Sequence, residues 1–134
     1  LVDTPVWSAA FRHRGGGADP VSVELRELIR EGRARVIGPV RQEVLSGIPF
    51  HEEYERLRET MGRFPDLELE REDFERAAAI FNRCRSRGVQ GAHTDFLICA
   101  AAERREMAIL TTDGDFTHFA KHVPLRLHRP RPAR

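Results

Sequence analysis

Asp3, Glu43, Asp95, Asp113 and Asp115 are spread along the 134-residue chain, yet each adjoins an apolar stretch that would carry it towards the interior. A carboxylate beside a core is costly to desolvate unless a cation or a full set of donors faces it. Several converging on one place would repel one another, and a divalent metal is the simplest means of keeping them ionised. Hard oxygen donors of this kind select magnesium or manganese over zinc. The chemistry such a set could do is metal-assisted cleavage of a phosphodiester.

Each acid taken alone also has an ordinary structural reading. Asp95 falls at an expected helix start, where it would serve as an N-cap worth about 1 kcal/mol. Glu43 follows Pro39 by four residues, beside Val40 and Val44 on a face expected to turn partly inward, and Arg41 is a ready ion-pair partner for it. The sharpest local signal is T-T-D-G-D-F at 111–116. Two aspartates around one glycine could turn tightly enough to face one cation, with Gly114 expected to supply the conformational freedom. Thr111 is placed to donate a hydrogen bond that orients a ligating carboxylate. An EF-hand loop is excluded, because its D-x-D-x-D-G-x₅-E pattern is absent. For the five acids together the shared site is the better reading.

The elements that must position these acids alternate short β-like runs with longer helical ones, which predicts an α/β fold built on a parallel sheet. Strands are expected at 1–3, 35–37, 67–69, 108–110 and 125–127. The opening Leu1-Val2-Asp3 reads as a strand whose first residue or two lie upstream. A helix or turn is expected over 6–11, followed by a glycine-rich loop at 15–17. The pattern then predicts a helix from Asp19-Pro20 to about Gly32, one from Gly38-Pro39 to Ser46-Gly47, and amphipathic helices over 50–64 and 72–87. The most apolar helix starts at Thr94 or Asp95, and a short one follows at 116–122. In open α/β sheets ligands bind beyond the carboxyl ends of the strands, where the strand order reverses. Asp3 and Asp113 both belong at that rim.

Length and composition fit one soluble globular domain over residues 1–134, its last strand running into a basic tail at 125–134. No apolar run is long enough to span a bilayer and no secretory signal is evident, so no membrane partner and a cytoplasmic location are expected. Cys84 and Cys99 lie in helical patterns without a C-x-x-C pairing and read as reduced thiols. The six histidines form no H-E-x-x-H. Formal net charge is +1, but residues 125–134 hold four arginines and no acid, leaving 18 basic against 21 acidic side chains elsewhere. That tail reads as a solvated, partly disordered terminus or as a weak nucleic-acid signal. Arg12, Arg14 and the Arg83/Arg85/Arg87 run are candidate RNA contacts, with ordinary solvated charges as the alternative.

L-V-D-T-x-V-W at 1–7, the helix start at 40–44, D-F-L-I-C-A-A-A at 95–102 and T-T-D-G-D-F at 111–116 together resemble PIN-domain ribonucleases, and most closely the VapC-type toxins of type II toxin–antitoxin pairs. The resemblance spans essentially the whole chain. It implies a three-layer α/β/α sandwich with a central parallel sheet of about five strands, usually as a homodimer. It also implies a magnesium- or manganese-dependent endoribonuclease inhibited by a cognate VapB-type antitoxin. Matched position by position, Asp3, Glu43, Asp95 and Asp113 correspond to the family's acidic quartet, Asp115 to the extra metal-binding acid, and Thr111 to the hydroxyl at the motif's start. Where many relatives carry Ser or Asn this chain has Pro5, so polar support for Asp3 falls to Thr4, Ser8 or water.

The mechanism so implied is attack on an RNA phosphodiester by a metal-activated water. A haloacid-dehalogenase-type phosphatase would need a second aspartate where Pro5 stands. A receiver domain would need a lysine better placed than Lys121. The remaining alternative is a catalytically silent PIN-like module for binding or assembly. The apolar faces of the helices at 21–31 and 50–64 could receive a partner segment, although core packing accounts for most of those residues.

Overall fold

The computed structural model describes residues 1–13 and 16–132. Its helices are α1 (Thr4–Phe11), α2 (Pro20–Arg30), α3 (Gly38–Leu45), α4 (His51–Met61), α5 (Arg71–Ser86), α6 (His93–Arg104) and α7 (Asp115–Phe119). Local chemistry explains most of the boundaries. Asp3 caps α1 by accepting the Thr4 amide, and Pro5 suits the first turn, so the helix begins two residues earlier than expected. Asp19 caps α2 through the amide and hydroxyl of Ser22. Gly88, at φ +74, ends α5 while the Val89 amide bonds the Cys84 carbonyl, a left-handed cap for which glycine is the natural residue.

The sheet is thinner than the alternating pattern predicts. Val2 pairs with Leu110, Val36 with Asp66, and Ile109 with Leu127, all in parallel and each as a single bridge. The Val2 amide reaches the Arg35 carbonyl at 3.1 Å, which joins the first two pairs. The third pairing falls at 66–67, just ahead of the expected 67–69, and the last is centred on 127. Helices begin at once after Asp3 and Ile37, so little extended chain remains to build ladders. Across the molecule the segments run 66–67, 36, 2, 109–110, 127. Chain order proceeds one way from residue 2 and the other way from residue 110, which places the reversal between Asp3 and Thr111.

Trp7, Leu25, Ile37, Ile98, Ile109 and Phe116 are among the fully buried side chains. The α6 run Phe96–Ala102 is buried throughout, as its composition requires. α1 packs on α2 and α3, and α5 packs on α6. The α5–α6 contact carries a forked Arg76–Glu103 pair (2.7 and 2.9 Å) and the fully buried Asp73, which takes Arg104 and Arg105 at 2.7–2.8 Å.

The C-terminal segment is more ordered than a solvated tail as far as residue 132. The Arg131 amide and guanidinium bond the buried Glu24 of α2 at 2.6–2.9 Å, and the same guanidinium also pairs with Glu31. Burying Glu24 demands such a partner. No helix among the described residues is long and apolar enough to cross a membrane.

Candidate acidic site

Asp3 is held at the rim by backbone on both sides: its amide donates to the Leu110 carbonyl at 2.9 Å, and Leu110 donates to Leu1. Its side chain is 3% exposed. One carboxylate oxygen accepts the Thr4 amide (2.8 Å) and the other accepts the Thr111 hydroxyl (2.7 Å). Burial pushes its pKa up to about 6, against those two hydrogen bonds, and the charges of Asp95 and Asp113 push the same way as burial.

Thr111 links the two strand ends. Its oxygen accepts the Asp113 amide (3.0 Å) while its hydroxyl proton goes to Asp3. Asp113 in turn accepts the Asp115 amide (2.9 Å), which draws 113–115 into the start of α7. Asp113 is half-buried and Asp115 exposed. Gly114 sits at φ −62 with nothing near the position of a Cβ, so this turn does not need glycine, contrary to the expectation from T-T-D-G-D-F.

Asp95 is the third residue of α6 and not its cap. Ala92, which occupies the capping position, has no side-chain acceptor, and Asp95 reaches back to bond its amide at 3.0 Å. The carboxylate is half-buried, with a pKa raised first by burial and then by Asp113, Glu43 and Asp115, partly offset by the Ala92 bond. Glu43 departs from its expected inward face. Val40 and Val44 occupy the buried side of α3, and Glu43 lies exposed one step round, where it accepts the Thr4 hydroxyl at 2.9 Å. It does not pair with Arg41, whose guanidinium binds Asp66 (2.9 Å) and the Met61 carbonyl (2.6 Å). Thr4 thus supports two acids, Asp3 by its amide and Glu43 by its hydroxyl.

Among the described residues none of these five acids forms a salt bridge. Their donor set, all oxygen and uncompensated in charge, fits a hard divalent cation in kind. The fit in position is looser: among the described residues no group of three such side chains is drawn close enough to hold an ion. The rim is therefore an acidic field and not a closed cage.

The arginines singled out for RNA are mostly engaged elsewhere. Arg12 donates to the Gly47 carbonyl (3.1 Å) and Arg83 to the His122 carbonyl (2.7 Å). Arg85 lies 5.8 Å from the centroid of the Phe81 ring. Arg14 falls outside the described residues. On α5 Phe74 is 53% exposed, and Phe74, Ala77, Ala78 and Phe81 wall a groove beside α6. The stacking of His93, at the start of α6, on Phe81 of α5 was not expected from the sequence, because it joins residues of two different helices.

With a sheet order reversing between two acid-bearing segments, the molecule has the architecture of an α/β protein with a rim site. The PIN domain family model matches residues 1–122, and the chain belongs to that family. PIN domains are generally nucleases, and such nucleases generally use divalent metal ions. The fold is also similar to the crystal structure of FitAcB from Neisseria gonorrhoeae, with a TM-score of 0.75 at 20% identity, over 97% of this chain and 96% of that one. No curated protein matches the chain.

Proposed function

We propose that this PIN domain is a magnesium- or manganese-dependent endoribonuclease, the VapC-type toxin of a type II toxin–antitoxin pair, acting in the cytoplasm. The observation that carries the reading is the set of acids around one rim without a basic partner. Burial raises the pKa of both Asp3 and Asp95, and neighbouring acids add to it: Asp95 and Asp113 for Asp3, and Asp113, Glu43 and Asp115 for Asp95. Such a site is stabilised by a cation from solution. Asp3, Glu43, Asp95 and Asp113 would hold it, and Asp115 would complete a second position. A bound divalent ion supplies an acidified water and neutralises charge that builds on the phosphoryl oxygens.

The chain's own residues do the positioning. Thr111 fixes one oxygen of Asp3, and the Thr4 amide fixes the other. The Thr4 hydroxyl steadies Glu43, while Ala92 holds Asp95 through its amide. With Asp3 near pKa 6, the carboxyl is mostly ionised at neutral pH and would release its remaining proton to water when a cation binds. The single domain over 1–134, the homodimer and the VapB-type antitoxin partner belong to the same reading. Phe50 just ahead of α4, at 67% exposure, and Val23 of α2, at 46%, would offer the antitoxin apolar anchor points.

The absence of a closed three-carboxylate group among the described residues favours a second reading, a silent PIN module that binds without cutting. Incubating the purified chain with mixed RNA separates the two. Cleavage that needs manganese, stops in chelator and falls at least ~100-fold in Asp95→Asn is expected. Intact RNA under every condition would leave the binding module.

A further inference from the structure

Two stretches of the chain carry no acid: 77–94, with the last turns of α5 and the loop into α6, and 116–134, with most of α7 and the C-terminal segment. The fold joins them beside the rim. Arg83 of α5 donates to the carbonyl of His122, just beyond α7, at 2.7 Å. Arg87 caps α5, and Lys121 stands next to His122. Arg83, Arg87 and Lys121 are exposed, and none forms a salt bridge among the described residues. By contrast, Arg30 on α2 and Arg58 on α4 each find a glutamate one turn away. The His122 carbonyl steadies Arg83 without cancelling its charge.

This cationic face adjoins the acids at two points. Asp115 opens α7, and the helical turns from there to His122 measure about 10 Å. The loop after Arg87 leads to Ala92, whose amide bonds Asp95 at 3.0 Å. Arg83 lies two residues beyond Phe81 on α5, on the opposite side of the helix from the apolar groove. The chemistry of the face selects its occupant. A protein partner needs apolar anchors at the centre of its contact. Here Ile80, Cys84, Phe116 and Phe119 are all buried, and the exposed neighbours of the cations are Ser86, Thr117 and His118. Guanidinium and ammonium groups are what backbone phosphates take. A cation at the acids would hold one phosphate, and the next phosphates along the strand need fixed positive charge.

We propose that the end of α5 and the turns after α7 form a track for the RNA backbone as it leaves the acidic rim, with Arg83, Arg87 and Lys121 each holding a phosphate. The proposal rests on the nuclease reading for the identity of its polyanion, and its test separates the two. The whole chain, in chelator, is titrated with a fluorescein-labelled single-stranded oligoribonucleotide over a range of KCl concentrations. The combined variant Arg83→Gln, Arg87→Gln, Lys121→Gln should weaken binding at least about tenfold and lower the slope of log Kd against log [KCl] by about 2, the share of three phosphate contacts to a single strand. Arg83→Lys with Arg87→Lys keeps the charge and should bind within about threefold of wild type. A control with the same change in net charge, Arg30→Gln, Arg33→Gln, Arg58→Gln, should stay within about twofold. In manganese, the track variant should raise KM for cleavage about tenfold and leave kcat within about twofold.

Salt-dependent binding that is lost in the track variant, from a wild type that cuts no RNA, would retain the track and end the nuclease reading. Cleavage by wild type, with KM and salt slope unmoved in the track variant, would end the track alone. An equal loss in the control variant would reduce the effect to net charge and overturn the proposal. Unchanged RNA binding, with poly-glutamate held by wild type and released by the track variant, would give the face to an acidic protein and overturn it as well.

Discussion

The α5–α6 contact and the rim of the sheet both bury a carboxylate, and they solve the resulting electrostatic problem in opposite ways. Asp73, fully buried between α5 and α6, is gripped by Arg104 and Arg105, and those guanidinium bonds hold its pKa far below the usual range. Asp3, 3% exposed, receives only a threonine hydroxyl and an amide, and its pKa rises to about 6. Glu24 follows Asp73, with Arg131 bringing its pKa down to about 2. An acid needed for packing is neutralised within the fold; the acids at the rim have no arginine partner among the described residues, and on the proposed reading a cation from solution takes that place.

The largest effect should come from breaking the neutralised region. Asp73→Ala strands two guanidinium groups and frees the Glu70 amide, and should destabilise the fold by about 3–5 kcal/mol, read by urea denaturation. A loss below ~1 kcal/mol would mean that the pair contributes little. Asp3→Asn should act in the opposite direction. Removing a desolvated charge should stabilise the protein by about 1–2 kcal/mol at pH 7.5 in chelator while abolishing RNA cleavage. A destabilised Asp3→Asn would show that the Thr111 bond needs the ionised carboxylate.

The pH dependence of stability sharpens the contrast. Asp3 binds its proton more tightly folded than unfolded, so its burden on the fold should ease as pH falls from about 7 to 4. Glu24 has the reverse sign: its contribution is present above the unfolded carboxylate value and is lost as pH falls from about 4.5 towards 2. Melting curves in chelator should therefore show Asp3→Asn losing its advantage near pH 4, while wild type weakens below that. The smallest effect is expected at Gly114. With φ −62 and open space around it, Gly114→Ala should change stability by less than ~0.5 kcal/mol and leave cleavage intact.

Most helices were legible in the chain because their signals are local. Asp19-Pro20 marks the start of α2 and Gly88 the end of α5, through caps that involve residues three to five apart. The acids too could be picked out, since each adjoins an apolar run. Less legible were features that depend on which way a helix turns. Glu43 was expected inward, yet Val40 and Val44 hold the buried side of α3, and a rotation of about 100° per residue leaves Glu43 at the surface. The ordinary alternative for Asp95, an N-cap, also failed: the helix starts earlier and the carboxylate reaches backwards.

By itself, then, the sequence determined the residue types, the helix caps and the succession of short apolar runs, because these rest on neighbours along the chain. Tertiary structure alone decided which acids receive arginine and which do not. Asp73 meets Arg105 across 32 positions, Glu24 meets Arg131 across 107, and Asp3 meets Thr111 across 108. No local pattern encodes such meetings, since they depend on where packing brings distant segments together.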